Sequence, residues 1–189
     1  GAADAPPPPA QRGAPLSFAP GPAWVLPLML LSGAVSFLHE VLWTRMLAQV
    51  VGSSIYAFGV MVGSFLSGIA LGGAAGALLA RSRSASVNAL AAALAAAGIW
   101  AAVAFSVLAA YVPQQTGLYA NLFFGFLLLI PLTFAIGTTY PLAVRILADT
   151  AADAAPASAR VYAWNTVGGI GGPRAGGVLA VPRRRPGAG

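Results

Sequence analysis

Cysteine is absent from the 189 residues, so the chain has no disulfide framework and no thiolate metal site, and nothing in it speaks to a redox compartment. Lysine is absent too: all ten basic residues are arginine, set against four acidic ones, for a net charge of +6. Charge of either sign is scarce. Asp, Glu, Lys and Arg make up 7% of the chain, where a soluble domain carries roughly 25%. There is one histidine, and the His39–Glu40 pair cannot be completed to a zinc motif because the position that would hold the second histidine is Trp43. No Walker loop, nucleophile elbow or paired-carboxylate constellation occurs. The glycine-rich segment VGGIGGPRAGG, residues 167–177, fits no G-x-G-x-x-G and follows no strand, so it reads as packing glycine rather than a nucleotide loop. These absences leave no residue pattern able to catalyse a reaction.

What the chain has instead is long apolar runs. Apolar residues make up 58% and the mean hydropathy is +0.80. Residues 13–38, 46–80 and 84–144 contain no Asp, Glu, Lys or Arg, and the last of these intervals runs for 61 residues. Such a run cannot form the surface of a water-soluble globule. The expected fold is therefore all-α, a polytopic transmembrane helical bundle of about five spans in one membrane domain, residues 23–181, with the lipid bilayer as its surroundings. The spans fall near residues 23–43, 55–80, 89–111, 119–144 and 161–181. A Pro/Ala-rich leader over residues 1–22 and a basic tail over 182–189 are expected to be disordered. In this setting arginine sets orientation, and nucleic acid is not implied.

The stretch Ile55–Ala80 is 26 residues long without a charge, about 39 Å as a helix at ~1.5 Å per residue, enough to cross a hydrocarbon core. Ser64, Gly68, Gly72 and Gly76 recur every fourth residue, and Gly59, Gly63 and Ser67 form an adjoining stripe. Small residues at that spacing let one helix backbone approach another, so this helix is expected to be packed by its neighbours. Trp24 and Trp43 are placed near the ends of the first span, where an aromatic belt sits. Pro131, near the middle of the fourth span, removes a backbone hydrogen bond and predicts a kink. The fifth span is the weakest, since Arg174 near its centre costs about 2.5–3.5 kcal/mol on insertion scales. With the N-terminus cytoplasmic, Arg12, Arg81, Arg83, Arg145 and Arg160 fall inside, while Arg45 falls outside, as does Arg183–Arg185 if the fifth span crosses.

The most informative polar residues are His39, Glu40, Thr44 and Arg45, in HEVLWTR at the end of the first span. Ionisable groups at that depth are costly unless paired or facing water. Two readings stand: a structural Glu40–Arg45 pair anchoring the helix end, or a binding or proton-handling site.

EVLWTR at Glu40–Arg45, GSSIYAF at Gly52–Phe58 leading into FLSGIALGG, TTYPLAVRIL at Thr138–Leu147 and VYAWNTVGGIGG at Val161–Gly172 occur in this order. Together they resemble the membrane half of bacterial fused transporter/spermidine synthase-like proteins. In that family a bundle reminiscent of the major facilitator superfamily precedes a soluble domain that transfers an aminopropyl group from decarboxylated S-adenosylmethionine to putrescine. The resemblance implies part of such a bundle, in a bacterial inner (plasma) membrane, serving or anchoring a spermidine synthase domain in polyamine metabolism. Tyr140 and Asn165 then join His39, Glu40, Thr44 and Arg45 as candidate substrate-facing groups. No catalytic or metal-binding residue is carried over, and the chain itself is expected to hold no cofactor. His39 stands where the family more usually has an aromatic, Ser82 where an acidic residue is expected, and Pro173-Arg174 is expected to interrupt the fifth span; these departures suggest a truncated or divergent copy. The rival readings are a half-bundle transporter for a small solute, a cation among the candidates, that works with a second half, and an inert remnant.

Overall fold

The computed structural model describes residues 22–51, 55–110 and 117–180, and among them all regular structure is helical. The leader up to residue 21, part of the turn between the third and fourth helices, the tail, and the charges of Arg12 and Arg183–Arg185 lie outside the described residues. Five α-helices follow in order: α1 Val25–Val51, α2 Ile55–Leu79, α3 Arg83–Ala110, α4 Leu118–Leu147 and α5 Ala154–Ala180. One 3-10 turn, Ala151–Asp153, leads into α5. Segments of α1 to α4 are each long and apolar enough to cross a membrane. The fifth helix is not one of them, in keeping with its polar Arg160 and Asn165 and its glycine-rich centre.

Helix boundaries depart from the expected spans in informative places. The first helix does not stop at Trp43 but continues to Val51, because nothing between them is a helix breaker. The third begins at Arg83, since the Ser82 Oγ accepts the Ala85 N–H at 3.2 Å in N-cap fashion. Thr150 and Asp153 form a capping box that starts the 3-10 turn, so the last helix begins well before Val161. Its backbone then runs on past Pro173 and Arg174 to Ala180, without the interruption expected there.

Helix α4 is the centre of the molecule, with the longest list of buried residues and contacts to every other α-helix. Its most extensive partner is α2, and the contact is built from glycines. A Cβ at Gly68 would overlap the Thr133 side chain, one at Gly72 the Phe134 carbonyl, and one at Gly76 would lie 2.6 Å from the Thr138 carbonyl oxygen. On the α4 side, Gly137 approaches the Ile69 backbone in the same way. The four-residue stripe of Ser64, Gly68, Gly72 and Gly76 is thus the α2–α4 seam. Gly59 and Gly63, from the adjoining stripe, have nothing within 4 Å of an added Cβ, so that part of the stripe packs against no described residue.

The first helix packs chiefly on the last, again through glycine: a Cβ at Gly33 would overlap the Asn165 carbonyl, and one at Gly168 the Leu30 carbonyl. Direct contact between α1 and α2 is slight although they are consecutive. Two apolar clusters close the ends. One joins Val25, Met29, Leu90, Leu142, Ile146 and Val161; the other gathers Leu128, Leu129 and Leu132 around Trp43. Trp43 is only 5% exposed, so it belongs to the core and not to an aromatic belt. Trp100 anchors α3 to α4 by donating its indole N–H to the Leu128 carbonyl at 2.8 Å. Pro131 and Pro141 both lie within the unbroken α4.

Candidate functional site

Because α1 and α5 form one packed pair and α2 and α4 another, a cleft of about 790 Å³ is left between the pairs, with walls from all four helices. That volume is in the range of small-molecule sites. Its walls are mostly apolar, from Met29, Phe37, Phe65 and Ile69, and its polar groups include Glu40, Tyr140, Tyr162, Asn165 and Thr166. Gly33, Gly137 and Gly169 bring backbone close to the cleft, so the space is set by the glycine seams described above.

The extension of α1 to Val51 changes where Glu40 sits. At ~1.5 Å per residue it stands about 22 Å from the start of the helix and about 16 Å from its end, near the middle instead of at the terminus. Its carboxylate makes no ion pair with a described residue, and the Arg83 guanidinium pairs with Asp149 instead. The anticipated Glu40–Arg45 pair is therefore not formed, for a geometric reason. Residues i and i+5 on a helix lie about 140° apart around the axis, whereas i and i+4 share a face.

Six sequence candidates divide into two groups. Glu40, Tyr140 and Asn165 line the same cleft, brought from three different helices. His39, Thr44 and Arg45 do not line it. The His39 ring Nδ1 lies 2.9 Å from the Val35 carbonyl, and the side chain borders two smaller cavities of about 280 and 190 Å³. Glu40 also borders the larger of these two. The Thr44 hydroxyl lies 2.7 Å from the Glu40 carbonyl and 3.0 Å from the Met61 sulfur, and Arg45 is exposed. Tyr140 is held by Ser158, whose hydroxyl lies 2.7 Å from its phenolic oxygen and whose carbonyl accepts at 3.2 Å.

Glu40, Tyr162, Asn165 and Thr166 have no hydrogen bond or ion pair through their side chains among the described residues. Among the described residues no side-chain nitrogen or oxygen is sealed away without a partner; Glu40 and Tyr162 are exposed, and Asn165 and Thr166 are half-buried. Tyr162 and Thr166, four apart on α5, were missed as site residues; their spacing with Asn165 is the signal that could have found them. No group of three or more metal-ligating side chains lies together among the described residues. Pro131 borders none of the cavities described here, while Pro141 borders a separate cleft at the end of α4.

Compared with protein-family models, with curated proteins and with solved structures, the chain gives no match.

Proposed function

We propose that this chain is a multi-pass helical bundle of a bacterial inner membrane that binds a small cationic amine in the cleft beneath Glu40. The observation that carries the reading is the unpaired carboxylate. Held on an apolar helix between two helix pairs, it has no counter-ion among the described residues and borders a cleft with free amide and hydroxyl groups. A charge inside a membrane faces a partner or a polar cavity, and an ammonium group is the partner this cleft is built to accept. Phe37, Phe65 and the aliphatic wall suit the methylenes of a diamine. The resemblance to spermidine synthase-like membrane proteins names putrescine as the first amine to try. In that setting the bundle anchors or serves an aminopropyltransferase domain, which would hold the decarboxylated S-adenosylmethionine. Arg81, Arg83 and Arg145 gather where α2, α3 and α4 meet at one end, which supports a cytoplasmic position for that end and for the N-terminus.

A second reading is favoured by the shallow α1–α2 contact. Two helix pairs that touch mainly through α4 could rock about the cleft, as a half-bundle transporter working with a second half would require. Binding decides between these and an inert bundle. Putrescine titrated onto the purified chain in detergent is expected to saturate, and Glu40→Gln to weaken it roughly tenfold or more, the value of one charge-assisted contact. Unchanged affinity in Glu40→Gln refutes the proposed site. Uptake of labelled putrescine into proteoliposomes would select the transporter reading.

A further inference from the structure

Among the described residues that line the Glu40 cleft, Glu40 carries the only charge. The other polar side chains on its walls are neutral: hydroxyls of serine, threonine and tyrosine, and one amide, that of Asn165. Tyr140 is already held by Ser158, whereas the Asn165 amide and the Thr166 hydroxyl have no hydrogen bond with a described residue. The α1–α5 seam fixes where the amide stands relative to the carboxylate. A Cβ at Gly33 would overlap the Asn165 carbonyl and lie 3.0 Å from the Asn165 Oδ1, which sets that amide level with Gly33. Glu40 is seven residues, two turns, further along the same face of α1, so the two groups stand on levels about 10 Å apart along the axis at ~1.5 Å per residue. Phe37 lines the cleft between those levels.

The charge count limits the ligand. One ammonium group neutralises Glu40 and leaves the cleft without net charge. A second ammonium, as in a diamine, would meet no counter-ion there, and an uncompensated charge at membrane depth is costly. Asn165 would receive it poorly, because its amide presents two N–H donors beside one acceptor oxygen. A neutral amide is the better complement, since it too carries a donor and an acceptor and can pair with both. We infer that the Glu40 cleft takes a monocationic amine whose single ammonium sits at Glu40 and whose other end, one short aliphatic chain away, is a neutral amide held by Asn165. The inference rests on the amine reading of Glu40 given above and narrows it from diamines to diamines with one end masked by acylation. Putrescine itself then enters with one ammonium unpaired.

The test uses the full chain purified in dodecyl maltoside and compares N-acetylputrescine, putrescine and butylamine by isothermal titration calorimetry; butylamine has the single charge but no polar end. N-acetylputrescine should bind roughly tenfold more tightly than putrescine and severalfold more tightly than butylamine, the value of a hydrogen-bonded neutral end. Asn165→Asp keeps the size of the side chain, places a second carboxylate in the cleft and should reverse the order, so that putrescine becomes the tightest of the three. Putrescine or butylamine binding to the wild type as tightly as N-acetylputrescine overturns the inference, and leaves the amine reading standing if Glu40→Gln weakens all of them. An Asn165→Asp chain that folds yet keeps the wild-type order overturns it too, because the far end of the ligand is then not at Asn165. Saturation by none of the three, or equal affinities in Glu40→Gln and the wild type, refutes the amine reading itself and this inference with it.

Discussion

Tyr140 in α4 and Ser158 in α5 share a 2.7 Å hydroxyl–hydroxyl contact, and Tyr140 borders both the Glu40 cleft and the separate cleft at the end of α4. The pair therefore ties the last helix to the central one at the wall between the two spaces. The contact adds to the apolar cluster in which Ala157 and Val161 of α5 join Leu142 and Ile146 of α4. Tyr140→Phe and Ser158→Ala should each lower stability by about 1 kcal/mol, the usual net value of one such bond. The double variant should lose less than the sum, because both changes remove the same contact. Chemical unfolding in detergent followed by circular dichroism reads all three; strict additivity would show that the two residues are not coupled.

The glycine seam predicts a contrast within a single helix. Gly72→Ala puts a methyl group into the Phe134 carbonyl and should destabilise by about 1–3 kcal/mol, the range for overpacking. Gly63→Ala meets open space and should be neutral or stabilise by up to about 1 kcal/mol through helix propensity. Similar losses at the two positions would mean that α2 presents a different face to α4.

That seam was half legible beforehand. The four-residue spacing of Ser64, Gly68, Gly72 and Gly76 announces a contact stripe from sequence, because only small side chains allow such approach. Its partner could not be read, since Thr133 and Gly137 are also four apart on α4 but spacing alone does not say which stripe meets which. Gly59 and Gly63 carry the same spacing and have open space beside them, which shows that spacing alone does not distinguish a seam from an unpacked face. The Glu40 region illustrates a second limit. Hydropathy ends the first span where charges begin, but hydrogen bonding continues α1 to Val51 and so moves Glu40 to mid-helix and Trp43 into the core. The convergence of Glu40, Tyr140 and Asn165 on one cleft depends on which helices pair, and nothing in composition or periodicity encodes that α1 chooses α5.

Acid should loosen the start of α5. The Asp153 carboxylate accepts from the Thr150 hydroxyl at 2.7 Å and from its backbone N–H at 3.0 Å, and these bonds, the hydroxyl first, hold its pKa below the ordinary 3.8. A carboxyl whose folded pKa is depressed contributes stability that is complete above its unfolded value and is lost as pH falls through the folded one. The capping box should therefore persist at neutral pH and open below about pH 3.8. Carboxyl carbon chemical shifts of Asp153 against pH will show the lowered midpoint, and Thr150→Ala should move it part of the way back to the ordinary range, since the hydroxyl is lost and the backbone N–H bond is kept. An unchanged midpoint in that variant would refute the assignment of cause.

Glu40 should be bad for the stability of the empty bundle and necessary for its ligand. A carboxylate without a counter-ion on a helix that crosses a membrane is costly wherever lipid or detergent tails reach it, and Glu40→Gln removes the charge while keeping the shape of the side chain. The amide variant is expected to unfold later than the wild type in the absence of amine, by roughly 1 kcal/mol, and to gain nothing when putrescine is added. The wild type should gain with amine concentration, because a ligand that binds only the folded state stabilises it by mass action. Arg45→Gln provides the control: with no Glu40–Arg45 pair to break, it should leave the unliganded stability unchanged. If Glu40→Gln instead lowers stability in amine-free detergent and Arg45→Gln lowers it by a matching amount, the two side chains pair in solution, and Glu40 is a structural anchor rather than a vacant counter-ion.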